Sequence, residues 1–222
     1  MKSLLAELNE IVYRLGAYDR MAILMTLGLD DYIRRTYVRY VPNSHKILDL
    51  GTGTGRNIPY LIDKADNIIS IDISYSALKT CLQKYRNMTK IDIICASAEM
   101  LPLRESSIDV VISSYVLRHL NIKNLIRELR RITRRSSKII IVDFWRPINT
   151  IKHLMLLTHL SIIVTFLSFL TFPTLVPVYV GVWKSIPKLD NPHNISKIFS
   201  RLGRVVLLSI VDIIYIWCID VV

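Results

Sequence analysis

Glycine is scarce in this chain, which has 7 glycines among 222 residues, and three of them stand at alternate positions between residues 51 and 55. The 3 cysteines, Cys81, Cys95 and Cys218, lack the spacing of a redox or metal motif. We therefore expect reduced, packed thiols and a cytoplasmic location. The 5 histidines also lack the spacing of metal ligands, so the sequence predicts no metal site.

Acidic residues are fewer than basic ones. The chain has 18 Asp and Glu and 29 Lys and Arg, which gives a net charge of +11. This balance favours an anionic partner, either nucleic acid or lipid headgroups. Apolar residues make up 51% of the chain, which predicts a large core, an apolar surface, or both. A secretion signal is not expected, because Glu7 and Glu10 interrupt the apolar region that it would need. The length predicts a single domain over residues 1–222.

The three clustered glycines follow an apolar segment, Lys46–Leu50, that is typical of a buried strand. A strand that ends in a glycine loop, with a helix after it, allows a nucleotide-like ligand to contact backbone N–H groups at the edge of the sheet. The dinucleotide-binding pattern is excluded because Arg56 occupies the place of its third glycine. A second acidic residue, Asp72, ends the next strand, where a carboxylate can bind ribose hydroxyls.

This arrangement resembles the class I S-adenosylmethionine (SAM) methyltransferases, and the resemblance extends from about Asp19 to the C-terminus. It implies a Rossmann-like α/β fold, with a seven-stranded, mostly parallel sheet and helices on both faces. It also implies SAM as the cofactor and residues 1–42 as a helical N-terminal lid. The alternative is a sharp strand–helix turn without a ligand. The expected cofactor-binding residues are Asp49, Gly51, Thr52, Gly53, Gly55, Asp72, Ile73, Ser97, Ala98, Glu99 and Ser114.

The segment Ala96–Leu103 resembles the loop that lies on the adenine in this family, Gly-Asp-Ala-x-x-Leu-Pro-Phe. The family's Asp, which accepts a hydrogen bond from the adenine amino group, is replaced here by Ser97. A hydroxyl can still accept such a bond, so the departure weakens the polar part of adenine recognition without removing it.

The second half of the chain predicts further elements. We expect strands over residues 107–114, 138–143, 204–209 and 213–221, and helices over 122–135 and 195–202, the latter with Gly203 as its C-cap. The alternation in Ile214–Ile219 predicts an exposed edge strand. The basic residues between Arg127 and Lys138 predict a solvated helix face, with contact to membrane phosphates as the alternative.

Three segments together look like the UbiE/MenG enzymes, which C-methylate prenylated ubiquinone or menaquinone precursors. They are Tyr18-Asp19, Val116–Leu120, and Val142–Pro147. The family's usual Gly-Leu-Arg-Asn segment matches at Arg118, whereas His119 stands in the place of Asn.

The resemblance implies a ring-carbon acceptor, whose neighbouring hydroxyl must become phenolate-like. Arg118, a fixed cation, could stabilise that phenolate, and His119 could take the proton directly or through water. A histidine after a strand is more often a structural hydrogen-bonding group, and this reading stays open for His119. Tyr18 is the third candidate catalytic residue, because Tyr18 and Tyr115 could orient the ring.

Residues 151–184 form an apolar insertion, and by length the segment qualifies as a membrane span. A single crossing would, however, separate the last two strands from the sheet. We therefore expect a substrate cap or an interfacial membrane-docking segment. A genuine span and internal packing remain the alternatives.

Methylation of a lipophilic, quinone-like acceptor has several alternatives. A lipid headgroup or another small molecule could receive the methyl group. RNA is less favoured because Ser113–Val116 lacks the Asn-Pro-Pro-Tyr type of motif after the fourth strand. A non-catalytic binding protein could keep the same fold, and a SAM-binding titration would separate it from an enzyme. The sequence thus predicts a cytoplasmic, peripherally membrane-associated SAM-dependent C-methyltransferase.

Overall fold

A computed structural model describes residues 10, 12–14, 16–26, 28–147, 189–210 and 214–222, together with single positions between 151 and 176. Most of the predicted N-terminal helix and most of the apolar insertion lie outside the described residues. Within the described part of the chain, no helix is long and apolar enough to cross a membrane.

Helices and strands alternate along the chain. The helices are α1 (Tyr18–Met25), α2 (Asp30–Val38), α3 (Ile58–Leu61), α4 (Tyr75–Tyr85), α5 (Ile122–Ile132) and α6 (Pro192–Phe199). The strands are β1 (Ser44–Leu50), β2 (Ala65–Asp72), β3 (Ile91–Cys95), β4 (Ile108–Ser114), β5 (Thr133–Phe144), β6 (Gly203–Ile210) and β7 (Ile214–Val221). A 3-10 turn, Leu117–His119, follows β4.

The seven strands form one sheet in the order β3-β2-β1-β4-β5-β7-β6. β1 to β5 are parallel, and β7 pairs antiparallel with both β5 and β6. The predicted seven-stranded, mostly parallel sheet is confirmed. The strand order reverses between β1 and β4, so the crevice at their carboxyl ends is the place where such sheets bind ligands.

Apolar side chains cover both faces of the sheet. Ile47 and Ile112 belong to the cluster on one face, and Leu48 and Val111 belong to the cluster on the other. Burial on both faces explains why the central strands are continuous runs of Ile, Leu and Val rather than alternating sequences.

The predicted helix over residues 122–135 ends early, at Ile132, and β5 begins at Thr133. The Thr133 hydroxyl donates to the Leu129 carbonyl (2.7 Å) and so closes the last turn. Ser136, near the start of this strand, has a positive φ of 64°. Arg134 and Arg135 therefore lie on a strand, and the prediction that they belong to a helix face was wrong, whereas Lys138 lies in the strand that was predicted over residues 138–143.

The prediction of an exposed edge at residues 214–219 was also wrong. β7 lies between β5 and β6, and its residues 214–219 are all buried. Gly203 begins β6 instead of capping α6, which ends at Phe199. A Cβ at Gly203 would lie 1.9 Å from the Asp220 carbonyl oxygen, so this glycine is required by the close approach of two strands.

A buried ion pair connects the N-terminal helices to the loop after β1. Asp30, at the start of α2, accepts hydrogen bonds from Arg34 Nε (2.8 Å) and Arg56 Nη2 (2.5 Å). Burial acts to raise the pKa of Asp30, but Arg34 and Arg56 outweigh it and lower the pKa below its ordinary value. The ionised carboxylate therefore stabilises the fold.

We expect Asp30→Asn to lower the free energy of unfolding by about 3 kcal/mol at neutral pH, because the change leaves buried guanidinium groups without a carboxylate. The contribution of Asp30 is present above its ordinary pKa of about 3.9 and is lost as the pH falls through the lowered folded-state value. Urea unfolding of both proteins should show the difference shrinking toward acidic pH.

Asp31→Asn is the matched control, because the neighbouring Asp31 side chain is 69% exposed and its ion pair with Arg56 is 3.7 Å long. Exposed pairs of this kind contribute ~0–1 kcal/mol. An Asp30→Asn effect no larger than that of Asp31→Asn would contradict the proposed anchoring.

Candidate functional site

The glycine loop begins directly at the end of β1. The Gly51 and Thr52 N–H groups donate to the Ile71 carbonyl of β2 (2.7 and 3.0 Å), which ties the loop to the neighbouring strand. Gly51, Gly53 and Gly55 have φ values of 74°, 55° and 81°. At Gly51 a Cβ would also lie 2.3 Å from the Val116 side chain, so both the backbone angle and the close contact require glycine there.

Asp72 ends β2 beside this loop. One carboxylate oxygen accepts the Gly53 N–H and the other accepts the Ser74 N–H, each at 2.8 Å. Burial raises the pKa of Asp72, and the backbone N–H groups oppose that rise. The carboxylate thus lies where the sequence predicted an acceptor for ribose hydroxyls.

Asp49 has a different position from Asp72, although both were predicted to bind the cofactor. It is fully buried, and it accepts hydrogen bonds from Thr52 Oγ1 (2.6 Å) and Asn57 Nδ2 (2.7 Å). Burial raises the pKa of Asp49. These contacts place Asp49 beneath the glycine loop, where it holds the loop's backbone in shape.

A narrow recess opens above the loop. It is lined by Tyr18, Arg34, Gly51, Thr52, Gly53, Thr54, Arg56, Asn57 and Ser114. Sequence reasoning missed Arg34 and Asn57 as lining residues and considered Arg56 only as a departure from a motif. Two guanidinium groups at one recess suit a carboxylate ligand, because arginine binds carboxylates in paired hydrogen bonds.

Ser114 and Tyr37 extend the buried polar contacts behind the recess. The Ser114 hydroxyl lies 2.9 Å from the Tyr37 hydroxyl, and both contact Asn57. Arg34 also bonds to Asn57. No signal in the sequence indicated these contacts, because their partners are separated by 20 to 77 residues along the chain.

The N-terminal segment packs over the loop. Glu10 accepts hydrogen bonds from the hydroxyls of Ser74 (2.5 Å) and Ser76. The Tyr13 and Tyr18 rings stack with centroids 4.4 Å apart. Asp19 accepts from the Thr54 hydroxyl (2.6 Å). These contacts agree with the position expected of a lid, and its role as a lid stays a prediction.

The expected adenine loop lies beside Asp72, since the Ala96 N–H donates to the Asp72 carbonyl (3.0 Å). Ile73 and Met100 are 75% and 77% exposed, and they offer apolar surface to a flat ligand. Ala98 is partly buried against the core, and the Ser97 hydroxyl accepts the Glu99 N–H (3.2 Å).

The Glu99 side chain contacts the start of α5. Its carboxylate accepts hydrogen bonds from the Asn121 N–H (2.8 Å) and from Asn124 Nδ2 (3.0 Å). These two donors belong to the start of α5, where a negative charge is favourable. Glu99 therefore fixes the position of α5 relative to the loop that was expected to lie on the adenine.

Arg118 and His119 lie in the 3-10 turn after β4. Arg118 is held by Asp143 of β5, whose carboxylate accepts from Arg118 Nη1 (2.7 Å) and from the Arg118 N–H (3.2 Å). Asp143 is fully buried, and burial raises its pKa while Arg118 opposes the rise. His119 is partly buried. No local sequence pattern indicated the Arg118–Asp143 pair, whose members are 25 residues apart.

The predicted site residues thus fall into three groups at the carboxyl edge of the sheet. The first lines or supports the recess: Tyr18, Asp49, Gly51, Thr52, Gly53, Gly55, Asp72 and Ser114. The second follows Asp72 and β3: Ile73, Ser97, Ala98 and Glu99. The third follows β4: Arg118 and His119. Among the described residues, no group of three or more His, Cys, Asp and Glu side chains could hold a metal ion.

Comparisons with known proteins agree with this geometry. Residues 48–141 match the family model described as a methyltransferase domain. The chain is 30% identical over 179 residues to the ubiquinone/menaquinone biosynthesis C-methyltransferase UbiE of Pasteurella multocida. That match covers 75% of this chain and 62% of the relative, which is less than two thirds of the relative's length.

Two solved structures share the fold. A SAM-dependent methyltransferase from Aquifex aeolicus is 14% identical, with a TM-score of 0.61 over 85% of this chain and 89% of that one. A phosphoethanolamine N-methyltransferase from Haemonchus contortus, in complex with phosphoethanolamine and S-adenosylhomocysteine, is 19% identical. Its TM-score is 0.58 over 65% of this chain and 32% of that one. At these identities the likeness concerns the fold alone.

Gly51→Ala is expected to destabilise the protein more than Gly28→Ala. Both residues have positive φ (74° and 79°), which costs about 1–2 kcal/mol for a residue with a Cβ. A Cβ at Gly28 meets nothing within 4 Å, whereas at Gly51 it meets Val116. Chemical denaturation of the two variants measures the difference.

Adding Val116→Ala to Gly51→Ala should recover the part of the loss that comes from the contact and leave the part that comes from φ. Equal losses in Gly51→Ala and Gly28→Ala would show that the close approach of Val116 contributes nothing.

Proposed function

We propose that the chain, whose residues 48–141 match a methyltransferase-domain model, transfers a methyl group from SAM to a ring carbon of a prenylated quinone precursor or a similarly lipophilic acceptor. The proposal rests on one observation: two features lie at the point where the strand order reverses. The glycine loop with Asp72 lies on one side of β4, and Arg118, held by Asp143, follows β4 itself.

The residues of the recess, together with those at and after Asp72, are suited to SAM. Asp72 would accept the ribose hydroxyls, and Ile73, Ala98 and Met100 would flank the adenine. Arg34 and Arg56 offer positive charge for the carboxylate of the methionine moiety. The glycines with positive φ carry no side chain that would keep the ligand away from the backbone of the loop.

When bound, SAM supplies an electrophilic methyl group on a sulfonium centre. The chain's own residues must hold the acceptor in line with that methyl group and exclude water. Arg118 would stabilise negative charge on the acceptor oxygen, because its guanidinium is fixed by a buried carboxylate. His119 would receive the hydroxyl proton directly or through water, and Tyr18 would orient the ring.

Buried aromatic residues surround Arg118. The rings of Tyr115 and Phe144 stack with centroids 5.1 Å apart, and the guanidinium carbon of Arg118 lies 5.9 Å from the Phe144 centroid. Both rings belong to the buried core, so they help to fix the position of Arg118. The quinone class itself comes from the relative's name and from the three segments that resemble that family.

Peripheral membrane association is the second part of the proposal. Among the single described positions of the apolar insertion, six large apolar side chains are more than 60% exposed: Ile151, Leu154, Met155, Ile162, Phe166 and Phe169. Apart from the adjacent Leu154 and Met155, successive positions are three, four or seven residues apart, which is typical of one helix face. An exposed apolar face on a chain of net charge +11 is suited to an anionic lipid surface, where a prenylated acceptor resides.

The purified chain is expected to bind SAM and to transfer a labelled methyl group to a prenylated hydroquinone. Arg118→Ala should reduce transfer by about 100-fold, the scale of removing one oxyanion-stabilising donor, while SAM binding persists. Arg127→Ala is the control, because Arg127 is an exposed arginine on the nearby α5. Calorimetry measures binding, and chromatography of a labelled lipid extract from the source cells identifies the acceptor.

Two outcomes would overturn different parts of this proposal. If SAM binds and the label appears only in phospholipid or RNA, the quinone acceptor is wrong and the methyltransferase activity stands. If SAM does not bind, the chain is a non-catalytic protein that retains the fold.

Replacing Phe166 and Phe169 by Glu should reduce binding to vesicles of phosphatidylglycerol and phosphatidylcholine at least tenfold, since burial of one aromatic side chain contributes about 1.5–3 kcal/mol. Leu82→Glu with Met88→Glu is the matched control, because both side chains are exposed and lie outside the insertion. Vesicle flotation measures the bound fraction. Equal losses in the two double variants would contradict docking by the insertion.

A further inference from the structure

We propose that a cleft at the amino edge of the sheet, where the parallel strands begin, binds a small phosphorylated molecule with at least two negative charges. We call it the arginine cleft. Its lining residues are Arg130, Arg134, Arg135, Arg201, Ser106, Thr133, Leu202, Val221 and Val222. The inference goes beyond the proposed function, because the arginine cleft and the recess lie at opposite edges of the sheet.

The position of the arginine cleft follows from the strand directions. Ser106 precedes β4, Thr133 begins β5, and Val221 ends β7, which runs antiparallel to β5. The recess lies at the other ends of the parallel strands. Because β4 has 7 residues, each of which advances the strand by about 3.3 Å, the two places are on the order of 20 Å apart. A ligand in the cleft would therefore be separate from the cofactor.

The cleft gathers positive charge without a matching number of acids. No Asp or Glu side chain lines it. Among the residues that the structure describes, Arg134 pairs with Asp109, whereas Arg130, Arg135 and Arg201 form no ion pair. Like charges that are held close together repel and destabilise the compact state. An anionic ligand would relieve this repulsion.

Two of the four guanidinium groups are held in place by neighbouring groups. Arg130 donates from Nη2 to the Arg201 carbonyl. Arg134 donates from Nε to the Ser106 carbonyl (3.1 Å) and from Nη1 to Asp109. An arginine side chain has five N–H donors, so these contacts do not exhaust them. Guanidinium groups that are already oriented are suited to binding phosphate oxygens through paired hydrogen bonds.

The start of β5 departs from regular pairing beside the cleft. Ile108 pairs with Thr133 and Val110 pairs with Lys138, so β5 is longer than β4 between the two pairs. The extra length lies within residues 134–137, which include two of the cleft arginines. Irregularities of this kind re-aim side chains and are common next to functional sites.

Backbone strain is found at the same place. Ser106 and Ser136 have φ values of 48° and 64°, and only one other non-glycine residue of the described chain, Tyr115, has a positive φ. Ser106 lines the cleft, and Ser136 directly follows Arg135. Positive φ is uncommon for residues with a Cβ, and such strain is concentrated at functional sites. Two separate connections thus carry strained residues where they meet at the cleft.

The size and lining of the cleft indicate a small ligand. Its volume of about 290 Å³ is close to the lower end of the range of small-molecule sites, about 300–1,000 Å³. No aromatic side chain lines it, so bases of a nucleic acid would have no ring to stack on. The apolar insertion follows the carboxyl end of β5, at the opposite edge of the sheet. A membrane that the insertion contacts would therefore lie away from the cleft.

Calorimetric titration of the full chain with inorganic diphosphate, at constant ionic strength, tests the site. The wild-type chain should bind one diphosphate. Arg135→Ala combined with Arg201→Ala should weaken binding by about tenfold or more, because it removes charge-assisted hydrogen bonds. Neither side chain has an ion-pair partner within the described residues, so we expect this double variant to fold and to keep the thermal stability of the wild type.

Arg86→Ala combined with Arg127→Ala is the matched control, because it removes the same charge from exposed arginines that do not line the cleft. It should leave diphosphate binding unchanged. Equal weakening in the two double variants would show attraction to the net charge alone and would overturn the inference. Unchanged binding in the Arg135→Ala, Arg201→Ala variant would place the anion elsewhere, and absence of binding to the wild type would remove the site; either result also overturns it.

The source of the phosphate is decided by two further titrations, one with vesicles that contain phosphatidylglycerol and one with a single-stranded RNA. If the cleft variant loses binding to vesicles or RNA and the wild type does not bind diphosphate, the cleft serves that macromolecule and the small ligand is wrong. None of these measurements uses SAM. Failure of the chain to bind SAM would therefore overturn the proposed function and leave the diphosphate result as it stands.

Discussion

The candidate site depends on carboxylates at the carboxyl ends of the strands. Each of them accepts hydrogen bonds from the segment that follows a neighbouring strand. Asp72 ends β2 and binds the N–H of Gly53 in the loop after β1. Asp143, the next-to-last residue of β5, binds Arg118 in the turn after β4. Glu99, after β3, binds the start of α5. Parallel strands make this possible, because their carboxyl ends meet at one edge, where acids on one strand can reach the next connection.

This arrangement would suit the proposed methyl transfer, in which the protein acts mainly by positioning the reacting groups. Small displacements of the reacting groups reduce the rate of such a reaction strongly. Loops held by buried carboxylates are restrained by charge-assisted hydrogen bonds, which are stronger than neutral ones. The recess and the Arg118 turn are therefore fixed relative to each other through the sheet, since β1, β4 and β5 are adjacent strands.

Much of the fold could be predicted, because strand patterns and glycine spacing are local signals. The glycine loop, Asp72, the sheet and the position of Arg118 after β4 followed from stretches of a few residues. The place of β7 was predicted wrongly because alternation of residue types does not reveal which strand becomes the outer one. Arg34, Asn57 and the Asp143 contact were missed because their partners are 23 to 25 residues away in the chain, a distance at which residue identity carries no pairing information.

The Asp143 contact also bears on the order of folding. Asp143 can contact Arg118 only after β5 has paired with β4. The helix α5 connects these two strands. β7, at the end of the sequence, pairs antiparallel with β5. Contacts between residues that are so far apart in the chain form slowly. A nascent or truncated chain with an incomplete sheet would have the glycine loop without a fixed arginine opposite it. The Arg118–Asp143 contact is therefore absent until β5 has joined the sheet beside β4.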